Sequence, residues 1–181
     1  MYDARLSEKL PSSRPCFKAV MTQPWKDLGR VLTRPTAFFS ALKSEKGLVA
    51  SLGFLFFVSL LSSALDLVLV SGIRGTLFAI FFANGFLTPL MTAVFLYLPV
   101  NMLSKKSFSM RSLIVIASYA QAPLLLSWIP GTAWLLGLWK LWLVGIGLHT
   151  SGKLRFRYNL CSLFIAEGLM LLFVSVCRFF V

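Results

Sequence analysis

From Leu48 onward the chain is a succession of apolar runs separated by short polar connections. The runs extend from about Leu48 to Ser71, Gly75 to Leu103, Ser112 to Trp128, Gly131 to Leu148 and Leu160 to Phe180. Each is near the ~20 residues that a helix needs to cross ~30 Å of hydrocarbon. They are hydrophobic nearly all round, as expected of helices whose solvent is lipid. The third and fourth runs are joined only by Ile129 and Pro130, which predicts a tight turn and an antiparallel hairpin. The second run is long enough to tilt, or to bend at Pro89.

The pattern ahead of Leu48 is different. Residues Met1 to Gln23 mix charges, Ser and Pro without periodicity, so they offer no face to bury and read as a flexible cytoplasmic tail. Pro24 to Gly47 holds two short helical stretches, the second entering at Pro35 and leaving at Gly47. Phe38, Ala41 and Leu42 share one face of that second stretch, while Lys43 and Lys46 point elsewhere. Such a helix either lies in the membrane interface or packs on the bundle. The expected architecture is all-α: a tail (1–23), an amphipathic interface segment (24–47) and a polytopic bundle of five transmembrane helices (48–181).

Composition strengthens the membrane expectation. Of the 181 residues 57% are hydrophobic and 13% charged, with a mean hydropathy of +0.80. A soluble globule of this size cannot hide so much apolar surface. The net charge of +12 would suggest nucleic acid in a soluble protein, but its distribution points elsewhere. Nine Lys and Arg precede Leu48, Arg74 alone follows the first run, and Lys105, Lys106 and Arg111 follow the second. None lies in the third-to-fourth turn, and Lys153, Arg155 and Arg157 follow the fourth run. Every cluster falls on one side, which the positive-inside rule assigns to the cytoplasm. The N-terminus is therefore expected inside and the C-terminus outside, with anionic headgroups as a partner of the basic face. Trp128 and Trp134 flank the expected outer turn, and Arg178 can snorkel to outer headgroups.

Few residues suggest chemistry. Cys16, Cys161 and Cys177 lack CxxC spacing, and Cys161 and Cys177 stand about 24 Å apart on one expected helix. With a single histidine, His149, no metal cage or cofactor is expected. No HExxH, GxSxG or Gly-rich phosphate loop is present, so no catalytic residue is assigned. The ionisable groups within the runs, Asp66, Lys140 and Glu167, are the default functional candidates. Asp66 falls near the outer interface, where Arg74 is a local partner. Lys140 and Glu167 fall at matched depth, about 12–13 Å from the cytoplasmic ends of consecutive helices, and either pair or each face a polar neighbour or water pocket with Glu167 protonated. Asn84 and Gln121 fall near mid-membrane, as interhelical glue or a substrate contact. Pro89 and Pro123 interrupt helical hydrogen bonding, as in transporters. Small residues four apart (Ser59 and Ser63, Ala79 and Ala83, Ser118 and Ala122) are candidate helix contacts.

The run FSMRSLIVIASYAQAPLLLSWIPGTAWLLGLWKLWLVGIGL has a Ser-Tyr-Ala-x-x-Pro stretch, an Ile-Pro turn and a Trp-x-x-x-x-Gly-Leu ending. It resembles the Yip1 family of five-span membrane proteins. Arg34-Pro35 followed by Phe38 and Phe39 is similar to the start of bacterial members, so the resemblance covers roughly Trp25 to Val181. It implies the fold more than an activity. The N-terminal Asp-Leu-Tyr-Gly-Pro stretch of eukaryotic relatives is missing, so their Rab association is not carried over. A bacterial cytoplasmic (inner) membrane location is implied.

The expected function is that of a non-enzymatic scaffold or accessory subunit that binds a membrane-protein partner or a second copy of itself. The alternative is a small-solute or ion transporter or a lipid-handling protein, favoured by the intramembrane polar groups.

Overall fold

The computed structural model describes residues 17–42, 47–69, 75–103, 108–127, 129, 131–152 and 156–179. Among them are seven α-helices: α1 Phe17–Thr33, α2 Pro35–Ala41, α3 Gly47–Leu69, α4 Gly75–Leu103, α5 Met110–Tyr119, α6 Ala133–Gly152 and α7 Phe156–Phe179. A 3-10 turn, Ala122–Leu126, lies between α5 and α6. The expected flexibility of residues 1–16 and the directions of Lys43 and Lys46 lie outside the described residues.

Two helices, α3 and α4, are long and apolar enough to cross a membrane. In the centre of the fold α3, α4 and α5 pack on one another, α7 lies against α4 and α6, and α2 lies against α6. The core joins Phe54 and Val58 of α3, Leu96 and Val100 of α4, Val115 and Ile116 of α5, and Leu143 and Leu148 of α6. Around this core the chain shows apolar side chains outward. On α4, Ile80, Leu87, Met91, Val94, Leu98 and Met102 are all exposed.

Two sequence expectations need correction. Helix begins at Phe17, so the last part of the expected tail is helical, and Pro24 sits inside α1. The second correction concerns the bounds of α2; of the two settings left open for the 24–47 segment, its described helices pack on the bundle. Val31, Pro35 and Phe39, four residues apart, are buried. Phe38 meets Tyr119 edge-on at 4.8 Å, and Trp25 meets Phe57 at 5.1 Å. Ala41 is exposed rather than sharing the buried face with Phe38 and Leu42, and α2 ends there, short of Gly47.

The third apolar run is interrupted at Pro123, as its missing N–H predicts. Helix α5 stops at Tyr119, four residues before Pro123. Proline offers no N–H to the carbonyl four residues back and its ring collides with it, so the chain passes through Ala120 and Gln121 into the 3-10 turn. Pro89 and Pro99, by contrast, are absorbed within α4.

The connections are built locally. Between α4 and α5, Asn101 Oδ1 accepts from Phe108 N at 2.6 Å and its Nδ2 donates to Phe108 O at 3.4 Å. Ser109 then caps α5 by accepting from Ser112 N. Ahead of α6, Gly131 takes φ 86°, a left-handed conformation that glycine adopts without steric cost. The Thr132 hydroxyl donates to Ile129 O at 2.8 Å.

Candidate functional site

The polar candidates within the apolar runs fall in three separate places. The first is a cavity of about 470 Å³ between α3, α4 and the segment after α5. Ser62, Ser63 and Asp66 reach it from α3 because residues three and four apart share a helix face. Leu77, Phe81, Asn84 and Gly85 reach it from α4 by the same spacing, and Leu124 and Ser127 close it. Asp66 and Asn84, candidates on different helices, therefore meet at one site.

Local hydrogen bonding orients this wall. Asn84 Oδ1 accepts from the Thr88 hydroxyl at 3.0 Å, which fixes the side chain on α4. Thr92 donates to Thr88 O at 2.9 Å and approaches Met170 Sδ at 4.0 Å, tying α4 to α7. Ser62 donates to Ser59 O at 3.2 Å, keeping its own lone pairs available. Gly85 keeps the space open: a Cβ there would stand 3.4 Å from both Ser59 Oγ and Leu124 Cδ2. Four residues on, Pro89 has no N–H for the Gly85 carbonyl. Ser59 Oγ, behind Gly85, is buried without a hydrogen-bond partner.

No protein-family model, curated protein or solved structure matches the chain.

The second place joins α6 and α7. Glu167 is close enough for its carboxylate to act on the Lys140 ammonium, although no direct salt bridge between described residues joins them. Lys140 lies 12 residues before the end of α6 and Glu167 11 residues after the start of α7. At ~1.5 Å per residue those are distances of about 18 and 17 Å along the two helices. The third place is Gln121, buried at the break after α5, where its carbonyl accepts from Leu124 N at 2.9 Å. Gln121 joins neither of the other two groups.

Other candidates are more peripheral. His149 and the Cys161 thiol are exposed, and Arg74, Trp128 and Cys16 lie outside the described residues. The small-residue pairs divide: Ser59, Ser63, Ser118 and Ala122 are buried, whereas Ala79 and Ala83 face outward. Among the described residues no three His, Cys, Asp or Glu side chains gather as metal ligands.

Sequence reasoning missed Ser62, Gly85 and Ser127, and gave Ser63 only as a helix contact. The signal was present in part, since Ser59, Ser62, Ser63 and Asp66 form a continuous stripe at helical spacing. Ser127, beyond the Pro123 break, had no such signal.

Proposed function

We propose that this chain is a five-span, non-enzymatic protein of the bacterial cytoplasmic membrane, with the Yip1-like architecture suggested by its residues, and that it binds a ligand in the cavity between α3 and α4. The observation carrying the binding role is the meeting of Asp66 and Asn84 at one cavity of about 470 Å³. That volume lies within the ~300–1,000 Å³ of ordinary small-molecule sites. A carboxylate, an amide and three serines converge on this one wall, and a polar ligand among them would use hydrogen-bonding capacity that the apolar neighbours leave unmet. The outward apolar side chains of α3, α4, α6 and α7 support the membrane setting, because water would leave them uncovered. Basic connections on one side support an inside N-terminus.

The test has two parts. Cysteines placed in the 129–132 turn should react with a membrane-impermeant thiol reagent in intact cells, and reaction only after lysis would refute the orientation. A cysteine at Ser63 should react with a small hydrophilic thiol reagent in the reconstituted protein. No reaction there would refute an accessible cavity.

A second reading, a scaffold or accessory subunit for a membrane-protein partner, is favoured by the uncovered face of α4. Repeated purification in mild detergent that yields the chain alone would count against it.

A further inference from the structure

We infer that the cavity between α3 and α4 recognises a primary ammonium group carried on an apolar or amphipathic molecule, with Asp66 as its counter-charge. The inference rests on the cavity being a ligand site and adds the ligand's chemistry.

The described wall is rich in acceptors, and its charge is that of Asp66. Asp66 is the single ionisable group among the described lining residues, and an ionised carboxylate only accepts hydrogen bonds. The hydroxyls of Ser62 and Ser63 add lone pairs beside it. An ammonium has three donors and no acceptor, which complements that set. Phosphate or carboxylate is opposed by Asp66, and no Lys or Arg is among the described lining residues to offset it.

A bare divalent cation fits poorly. Calcium needs six to eight oxygen ligands, typically with several carboxylates, and the volume exceeds a single ion many times over. The remaining wall, Leu77, Phe81 and Leu124, is apolar, which suits the carbon skeleton attached to the amine. The Phe81 ring face also attracts a cation. Leu77, Phe81 and Asn84 are themselves exposed, so the cavity opens along α4 to whatever surrounds that helix. Asp66 lies 19 residues along α3 from Gly47, about 28 Å, which in the proposed topology is the level of the outer headgroups. The amine arrives either on a lipid headgroup, as in phosphatidylethanolamine, or on a free small amine.

The experiment uses the full chain in nanodiscs of phosphatidylethanolamine and phosphatidylglycerol in equal parts, with retained lipid read by native mass spectrometry. Retention of phosphatidylethanolamine over phosphatidylglycerol is expected, falling about tenfold in Asp66→Asn. It should fall equally in Gly85→Leu, which fills the cavity and spares the carboxylate. Both variants are accepted only if monodisperse with wild-type helicity, and Asp66→Glu, expected to keep the selectivity, guards against misfolding. In nanodiscs of phosphatidylglycerol alone, added ethanolamine or hexylamine should raise Tm if free amines are the source, and leave it unchanged if the lipid is. Equal retention of both lipids together with no amine effect would overturn the inference, as would selectivity that survives both substitutions. Lipid retention lost in Gly85→Leu but indifferent to the amine would refute the ammonium and leave the cavity a ligand site.

Discussion

Gly147 on α6 has the least room for a Cβ among the described glycines, and its substitution has a calculable consequence. A Cβ at this position would stand 2.5 Å from Ile116 Cγ2 and 3.3 Å from Ile116 Cγ1. Carbon atoms rest at about 3.5–4.0 Å, so Gly147→Ala forces about 1 Å of displacement. Ile116 is 2% exposed, and a β-branched residue in a helix has one favoured χ1 rotamer. It cannot swing aside, and α5 or α6 must shift. Overpacking of this kind costs ~1–3 kcal/mol, set against a helix-propensity gain of at most ~1 kcal/mol for Gly→Ala. Gly137 on the same helix has nothing within 4 Å of its added Cβ, so Gly137→Ala carries the propensity gain without the clash. Reversible unfolding in mixed detergent micelles should place Gly147→Ala about 1–3 kcal/mol below Gly137→Ala. Ile116→Ala removes both clashing atoms, so the double variant should lose clearly less than the sum of the two single changes. Equal stability of the two glycine variants, or strict additivity with Ile116→Ala, would refute the close packing of α5 on α6.

Three further outcomes are expected. Asn101→Leu removes both hydrogen bonds to the backbone of buried Phe108 and should cost about 1–3 kcal/mol in the same assay, with a loss under about 0.5 kcal/mol speaking against that tie. Lys140→Met and Glu167→Leu should each destabilise the bundle, and the double change should recover about 0.5–1 kcal/mol of their summed loss; additive losses would show that the charges do not interact. For Asp27, burial raises the carboxyl above 3.8 while Arg30 opposes the shift. The folded state therefore favours the protonated form, and stability is lost as pH rises from 3.8 through the folded pKa. Asp27→Asn should raise Tm at neutral pH, with the difference closing below pH 3.8, and a pH-independent difference would refute burial of this carboxyl.

Some features of this protein follow from sequence alone because they are longitudinal. Helical character, the bounds of α4 from Gly75 to Leu103, and the common depth of Lys140 and Glu167 depend on local hydropathy and on a constant rise per residue. Gly131 and Pro130 mark the approach to α6 for an equally local reason. Azimuth is another matter. A helix that is apolar nearly all round has no stripe to declare its buried side, and in lipid the choice is made by small-residue packing and interhelical hydrogen bonds. Thus Ser59 and Ser63 turn inward while Ala79 and Ala83, equally spaced, face out. Prolines show the same division: α4 absorbs Pro89 within packed neighbours, whereas Pro123 ends α5. The docking of α1 and α2 was left open by their amphipathic pattern, since bilayer interface and bundle flank present similar apolar surfaces. It was decided by the aromatic contacts of Trp25 and Phe38. The meeting of Asp66 with Asn84 likewise needed the relative rotation of α3 and α4, a quantity that only interhelical packing sets.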